Sequence, residues 1–177
     1  MPRYVAFLRA INVGGHVVKM DRLKAVFDAA GHAKVETFIA SGNVVFESRS
    51  TATAKLASAI EKALEKALGY EVATFIRTDA EVAAIAGREP FAPDAVKSAR
   101  AFSVGFLSEP LGREGEKILM GMKTPIDDFR VHGREVYWLC QKGQSDSTFS
   151  NVRFEKAVKV RATYRGMNTI QRLAAKF

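Results

Sequence analysis

The sequence predicts an α+β protein of two subdomains, and three observations support this fold class. Between residues 4 and 76, short apolar segments alternate with helical stripes in the order strand, helix, strand, strand, helix, strand, which is the ferredoxin-like βαββαβ pattern. A proline-containing break at residues 88–93 follows, and after it comes a related βαββα order with an extra C-terminal helix. We therefore expect a ferredoxin-like subdomain at residues 1–88 and a second α+β subdomain at residues 89–177.

The first half begins with a strand and a helix. Residues 4–8 are apolar and are followed by the turn-forming sequence Asn12-Val13-Gly14-Gly15, which predicts a buried strand that enters a loop. Apolar residues at steps of three and four from Met20 to Ala30 predict a helix. Gly31 fits the left-handed cap at the end of that helix.

A hairpin, a longer helix and a strand complete the first half. Residues 35–39 and 44–46 are strand-like and flank Ala40-Ser41-Gly42-Asn43, so we expect a β-hairpin with those four residues in its turn. An apolar stripe at residues 51–68 predicts the longest helix. Residues 72–76 form the last strand of the predicted sandwich.

The second half begins after a short helix, for which Thr78 and Glu81 supply a capping box. Prolines 90 and 93 break both helix and strand patterns and mark the boundary between the subdomains. The elements expected beyond it are a strand at residues 102–107, a helix from Pro110 toward Met120, a hairpin of residues 129–132 and 136–139 around Gly133-Arg134, and helices at residues 148–157 and 167–176.

Composition excludes several classes of protein. With 177 residues, 47% of them hydrophobic and 26% charged, the chain resembles ordinary globular proteins and not disordered, collagen or coiled-coil chains. The first apolar run ends at Arg9, so we expect neither a membrane span nor a secretory signal. A single cysteine, Cys140, fits a reducing compartment, and we therefore expect a cytoplasmic location.

The positive charge is concentrated near the C-terminus. The net charge is +8, and beyond residue 148 the only acidic residue is Glu155. The basic residues of that region are Arg153, Lys156, Lys159, Arg161, Arg165, Arg172 and Lys176. Such a region either faces phosphate groups or forms a solvated surface that keeps the protein soluble, and the sequence leaves both interpretations open.

The glycine-rich loop after the first strand is a candidate anion site. Gly14 and Gly15 allow backbone N–H groups to approach a ligand, and the following helix contributes a positive N-terminus, so an anion could lie between Arg9 and Lys19. The loop has neither the G-x-G-x-x-G nor the G-x-x-x-x-G-K-[ST] spacing. A plain turn from strand to helix is therefore the alternative.

Topology brings a second loop close to the first. In a ferredoxin-like sheet the first strand is antiparallel to the third, which places Ser41 and Asn43 beside Arg9 and Asn12. These side chains would supply a hydroxyl, two carboxamides and a guanidinium. In the alternative interpretation, the serine and asparagine bond to their own turn and Arg9 pairs with an acidic residue such as Glu47.

Catalytic and metal-binding patterns are weak. The histidines at 16, 32 and 132 are scattered without a carboxylate at ligand spacing, so we expect no metal site and no cofactor. Ser41 lacks a nucleophile-elbow sequence, and Cys140 fits a small buried side chain. Whether the protein is an enzyme is left open.

Three motifs resemble one bacterial family. They are Leu8-Arg9-Ala10-Ile11-Asn12-Val13-Gly14-Gly15 with Lys19-Met20, then Ser41-Gly42-Asn43-Val44-Val45-Phe46, and finally Phe149-Ser150-Asn151 with Ala162-Thr163-Tyr164-Arg165-Gly166-Met167-Asn168-Thr169. In this order they resemble the family called domain of unknown function 1697. The family usually has Gly where this chain has Ala10 and Trp where it has Met167. The resemblance implies an α+β fold of two subdomains and marks Arg165 and Asn168 as further site positions.

Three hypotheses about function follow. The first is binding of a phosphate- or carboxylate-bearing small molecule or nucleotide at the interdomain end, because guanidinium groups match such anions. Its candidate residues are Arg9, Asn12, Gly14, Gly15, Lys19, Ser41, Asn43, Arg165 and Asn168. The second is weak, salt-sensitive and non-specific binding of nucleic acid by the basic C-terminal third. The third is an interaction module without a ligand.

Overall fold

The chain folds into two compact units. The structure is a computed structural model that describes residues 1–9, 11 and 17–177, with the backbone alone at residues 40 and 41. One unit is Met1–Ile85 with Leu173–Phe177, and the other is Ala86–Arg172. The division lies three residues before the predicted boundary at residue 88. The end of the chain joins the first unit, where Lys176 forms an ion pair of 3.0 Å with Glu36.

The first unit contains a four-stranded antiparallel sheet, two helices that pack on it and most of a third helix. Its elements in chain order are β1 (Arg3–Leu8), α1 (Met20–Ala29), β2 (Ala33–Phe38), β3 (Ala40–Glu47), α2 (Thr53–Leu68) and β4 (Thr74–Thr78). The strand order is β2-β3-β1-β4. β1 is antiparallel to β3, which confirms that the first and third strands are neighbours.

The helices cover one face of this sheet. The apolar stripe of α1 buries Leu23 and Phe27, and the stripe of α2 buries Leu56, Ile60 and Leu64. These residues form one core cluster with alternate residues of β1, as expected when side chains at strand spacing of two share a face. The helix periodicity in the sequence therefore identified the core of this unit.

The turn of the first hairpin differs from the prediction. The four residues expected in the turn, Ala40-Ser41-Gly42-Asn43, belong to strand β3, and the chain reverses at Ile39, which has a φ of 65°. Asn43 lies opposite Phe7 of β1. Pairing with a neighbouring strand thus keeps a polar, glycine-containing run extended, although the same run in isolation is typical of a turn.

The predicted capping box is present at the start of α3 (Asp79–Gly87). The Glu81 backbone N–H donates to Thr78 Oγ1 at 3.0 Å, and the Thr78 N–H donates to Glu81 Oε2 at 2.8 Å. Two backbone donors at the helix start are thereby satisfied. Among the helices of the described residues, none is long and apolar enough to cross a membrane.

The second unit contains a second four-stranded antiparallel sheet. Its elements are α4 (Pro93–Ser98), β5 (Ala101–Leu107), α5 (Gly112–Met120), β6 (Asp127–His132), β7 (Glu135–Cys140), a 3-10 turn at Gln144–Asp146, α6 (Asn151–Val158), β8 (Ala162–Gly166) and α7 (Met167–Ala174). The strand order is β6-β7-β5-β8. The predicted α+β class with two subdomains is confirmed.

Strand β8 corrects the predicted βαββα order of the second unit to βαββαβ. From β5 to β8 this unit therefore has the same element order as the first and an equivalent strand order. The sequence of β8, ATYRG, alternates apolar and polar residues, which is a strand signal, but the segment is short and only helices were predicted in this region. Its strand conformation comes from pairing with β5.

Side chains from the start of α6 hold the beginning of β8. Asn151 Nδ2 donates to the Ala162 carbonyl at 2.9 Å, and the Ala162 N–H donates to Glu155 Oε2 at 2.8 Å. Phe149, two residues before α6, is buried among Trp138 and other aromatic rings of the second core. The Phe149-Ser150-Asn151 motif is therefore part of the framework of this sheet.

Gly105 of β5 is expected to tolerate no side chain. It lies opposite Tyr164, and a Cβ atom at this position would stand 2.6 Å from Tyr164 Cε2. We expect Gly105→Ala to lower the free energy of unfolding by about 1–3 kcal/mol, as overpacking does. Urea unfolding followed by circular dichroism measures this change.

Gly87→Ala is the matched control, because a Cβ atom there would meet nothing within 4 Å. It should change the free energy of unfolding by less than about 1 kcal/mol. Equal effects of the two substitutions would show that Tyr164 moves aside without cost, contrary to this account.

Candidate functional site

A pocket of about 530 Å³ lies at one end of the second sheet, where α7 begins. β8 ends at Gly166, which is opposite Ser103 near the start of β5, so the two strand ends form one side of the pocket. α7 follows β8 without a connecting residue. The polar side chains that line the pocket are Arg100, Ser103, Gln144, Asn168 and Gln171.

Ser103 supplies a buried hydroxyl to this pocket. Its exposed fraction is 5%, and its Oγ accepts a hydrogen bond of 2.7 Å from Gln144 Nε2. Within the described part of the chain, no acceptor binds its hydroxyl proton. Since a serine hydroxyl both accepts and donates, Ser103 has one donor left for a ligand oxygen.

Arg100 is the only charged side chain that lines the pocket among the described residues. Its backbone N–H donates to the Cys140 carbonyl at 3.0 Å, which fixes the main chain, while its side chain is exposed. A guanidinium offers five donors in a planar arrangement. The pocket therefore combines one positive charge with a neutral hydroxyl donor and lacks a described carboxylate.

The two marked residues of the C-terminal motif have different surroundings. Asn168 lines the pocket, whereas Arg165 bonds within its own strand. Arg165 Nη1 donates to Thr163 Oγ1 and to the Tyr164 carbonyl, each at 2.9 Å. Burial lowers the pKa of Arg165 to about 10, so the group remains charged at neutral pH.

The basic C-terminal residues contribute no charge to this pocket. Arg153 and Lys156 are exposed on α6, and Lys176 belongs to the first unit. Sequence reasoning missed Arg100 instead. Arg100 lies just before the strand predicted at residues 102–107, and the end of β8 forms the opposite wall of the pocket. The sequence could therefore have indicated Arg100 as a site residue only if β8 had also been predicted.

Arg9 and Lys19 lie in the first unit. Arg9 directly follows β1, is half-buried, and its backbone N–H donates to the Ala73 carbonyl at 2.9 Å. Lys19 is exposed and immediately precedes α1. The carboxylate of Glu47 lies 3.2 Å from Lys34 Nζ, and its Cα is opposite Arg3 at the other end of β1.

Asn43 is buried in β3, with 3% of its surface exposed. Its Nδ2 donates to the Phe38 carbonyl at 3.1 Å, so this amide braces the hairpin reversal. Asn12, Gly14 and Gly15 lie outside the described residues, as does the side chain of Ser41. The predicted anion site at the glycine-rich loop therefore stays a prediction.

Asp127 is a buried carboxylate with a structural environment. It accepts hydrogen bonds from Trp138 Nε1 at 2.8 Å, Thr124 Oγ1 at 2.8 Å and Ser147 Oγ at 2.7 Å. Burial alone would raise the pKa of Asp127, but these hydrogen bonds outweigh it and hold the pKa below its usual value. Burial also raises the pKa of the nearby Cys140 thiol.

This environment predicts a pH-dependent contribution to stability. A carboxylate whose pKa is lower in the folded state stabilises the fold above its unfolded pKa of about 3.9, and the contribution is lost as pH falls through the folded pKa. We expect Asp127→Asn to lower the free energy of unfolding by about 1–3 kcal/mol at pH 7. The difference from the parent should shrink below about pH 4.

Denaturant unfolding between pH 2 and pH 7 measures this difference, with Asp146→Asn as the control. Asp146 is exposed, and its substitution should have little effect at any of these pH values. A difference for Asp127→Asn that is constant down to pH 2 would contradict the assigned role of its charge.

Comparisons with known proteins give a family and a fold. The sequence pattern of the family described as protein of unknown function (DUF1697) matches residues 1–137. A solved structure described as a conserved bacterial protein from Streptococcus pneumoniae is 19% identical, with a TM-score of 0.72 over 99% of this chain and 98% of that chain. Among curated proteins, none matches.

At 19% identity the structural likeness shows the fold alone. The family pattern covers most of the chain, including the first two motifs and the whole first sheet, whereas the pocket residues Gln144, Asn168 and Gln171 lie beyond it. On that match, the chain belongs to the DUF1697 family of proteins of unknown function.

Proposed function

We propose that the protein binds a small anionic molecule, carrying a phosphate or carboxylate group, in the pocket at the start of α7. The observation that carries this proposal is the combination of Arg100 with the buried hydroxyl of Ser103 in one pocket. A guanidinium and a hydroxyl donor both bind oxyanions, and the guanidinium does so with two parallel hydrogen bonds.

The start of α7 adds to this preference. The first backbone N–H groups of a helix have no acceptor within the helix, and the helix dipole is positive at this end. α7 begins at Met167, which lines the pocket. An anion bound near Met167 would therefore meet main-chain donors in addition to Arg100.

The pocket volume fits a small ligand. Ligand pockets in proteins measure about 300–1,000 Å³, and the volume of about 530 Å³ lies within this range. The side-chain amides of Gln144, Asn168 and Gln171 can fix the orientation of such a ligand. The anion site predicted around Arg9 and Lys19 is retained as a separate proposal for the first unit.

Binding of ribose 5-phosphate and of inorganic phosphate tests the proposal. Isothermal titration should detect both probes with the parent protein, and Arg100→Gln should weaken ribose 5-phosphate binding about 10-fold or more, because a charge-assisted hydrogen bond contributes about 1.5–3 kcal/mol. Thermal unfolding of the variant without ligand should match the parent, since the Arg100 side chain is exposed.

Arg113→Gln is the matched control for charge. Arg113 is exposed on α5 in the same unit and does not line the pocket. The Arg113→Gln variant should bind ribose 5-phosphate and inorganic phosphate with the affinity of the parent protein. Equal losses of affinity in the two variants would indicate a general effect of net charge and reject Arg100 as a ligand-binding residue.

A further inference from the structure

We infer that the molecule bound in this pocket is a nucleoside monophosphate whose base carries an exocyclic amino group, an inference that rests on the proposed anion site. Arg100 would hold the phosphate. The side-chain amides of Gln144, Asn168 and Gln171 would bind the edge of the base.

Asn168 and Gln171 present two amides on one side of α7. They are three residues apart, which places their side chains on the same helix face, and both line the pocket. Both side chains are exposed and bind no other described residue. Each amide offers a donor and an acceptor side by side, and a phosphate or carboxylate alone would use only the donor.

Nucleobase edges match this pattern. A base presents donors and acceptors next to each other in one plane, and asparagine and glutamine bind such edges through two hydrogen bonds. The ligand that uses the amide oxygens must itself carry N–H or O–H donors, and a base edge places such a donor directly beside an acceptor, as the amides require. An anion joined to a base satisfies both Arg100 and the amides.

Gln144 indicates which bases fit. Its Nε2 donates to Ser103 Oγ at 2.7 Å, which fixes the orientation of the amide and leaves its Oε1 as an acceptor. No described residue donates to this oxygen. An exocyclic amino group, as in cytosine or adenine, supplies the missing donor, whereas uracil has a carbonyl oxygen at the position equivalent to the cytosine amino group.

The remaining wall of the pocket is apolar, as the faces of a base are. Phe102 and Val96 line the pocket and are half-buried. The Phe102 ring packs edge-on against Phe91, with 5.7 Å between centroids, which limits its movement. With Arg100 as the one cation among the described lining residues, the pocket matches one phosphate group.

Cytidine monophosphate, uridine monophosphate and ribose 5-phosphate form the test set, because the first two differ in the groups on the base edge and the third has no base. Isothermal titration of the full chain should show cytidine monophosphate binding at least 10-fold tighter than ribose 5-phosphate. Cytidine monophosphate should also bind more tightly than uridine monophosphate does. The double substitution Asn168→Ala with Gln171→Ala should weaken cytidine monophosphate binding more than ribose 5-phosphate binding and so remove most of the preference.

Arg172→Gln, an exposed position on α7 outside the pocket lining, serves as the control and should keep the preference. Equal binding of cytidine monophosphate and ribose 5-phosphate by the parent protein would overturn the inference but leave the anion site intact. A preference that survives the double substitution would also overturn it. Failure of all three probes to bind would instead reject the proposed function itself.

Discussion

The hydrogen bonds at Ala162 anchor the last strand of the second unit, and the position of α7 depends on that strand. Asn151 and Glu155, on one helix, bind the carbonyl and the N–H of this single residue. β8 is an edge strand of five residues, and so short an edge strand has few ladder bonds of its own. Once its first residue is fixed, pairing with β5 sets where the strand ends. The start of α7 and the positions of Asn168 and Gln171 follow from that.

Local patterns in the sequence predicted the first unit well because its elements carry their own signals. The stripe of α2 and the reciprocal bonds of Thr78 and Glu81 both lie within one element or one turn. Contacts between distant segments decided the two elements that differed. Asn43 is extended because it pairs with β1. Residues 160–165 alternate apolar and polar side chains, but the segment is short, and Asn151 and β5 hold it as β8. Neither contact can be inferred from a window of ten residues.

Of the residues that line the candidate site, only Asn168 was predicted from the sequence, because it belongs to the C-terminal motif. The C-terminal motif indicated Arg165 and Asn168, but Arg165 lies in β8 and Asn168 in α7, so these neighbouring positions need not share a function. Arg165 bonds to Thr163 and the backbone of its own strand, whereas Asn168 reaches the pocket. Arg100 and Gln144 carry no sequence signal because exposed arginines and glutamines are common on protein surfaces.

The contact between Gly105 and Tyr164 has an evolutionary consequence. The tyrosine ring occupies the space that a side chain at position 105 would need, and its hydroxyl is buried with no described hydrogen-bond partner. The aromatic ring of Tyr164, and not its hydroxyl group, therefore fills the space beside Gly105. A relative with a larger residue at the position of Gly105 must carry a smaller one at the position of Tyr164. The two positions should accordingly vary together across the family, as a pair inherited through compensating changes.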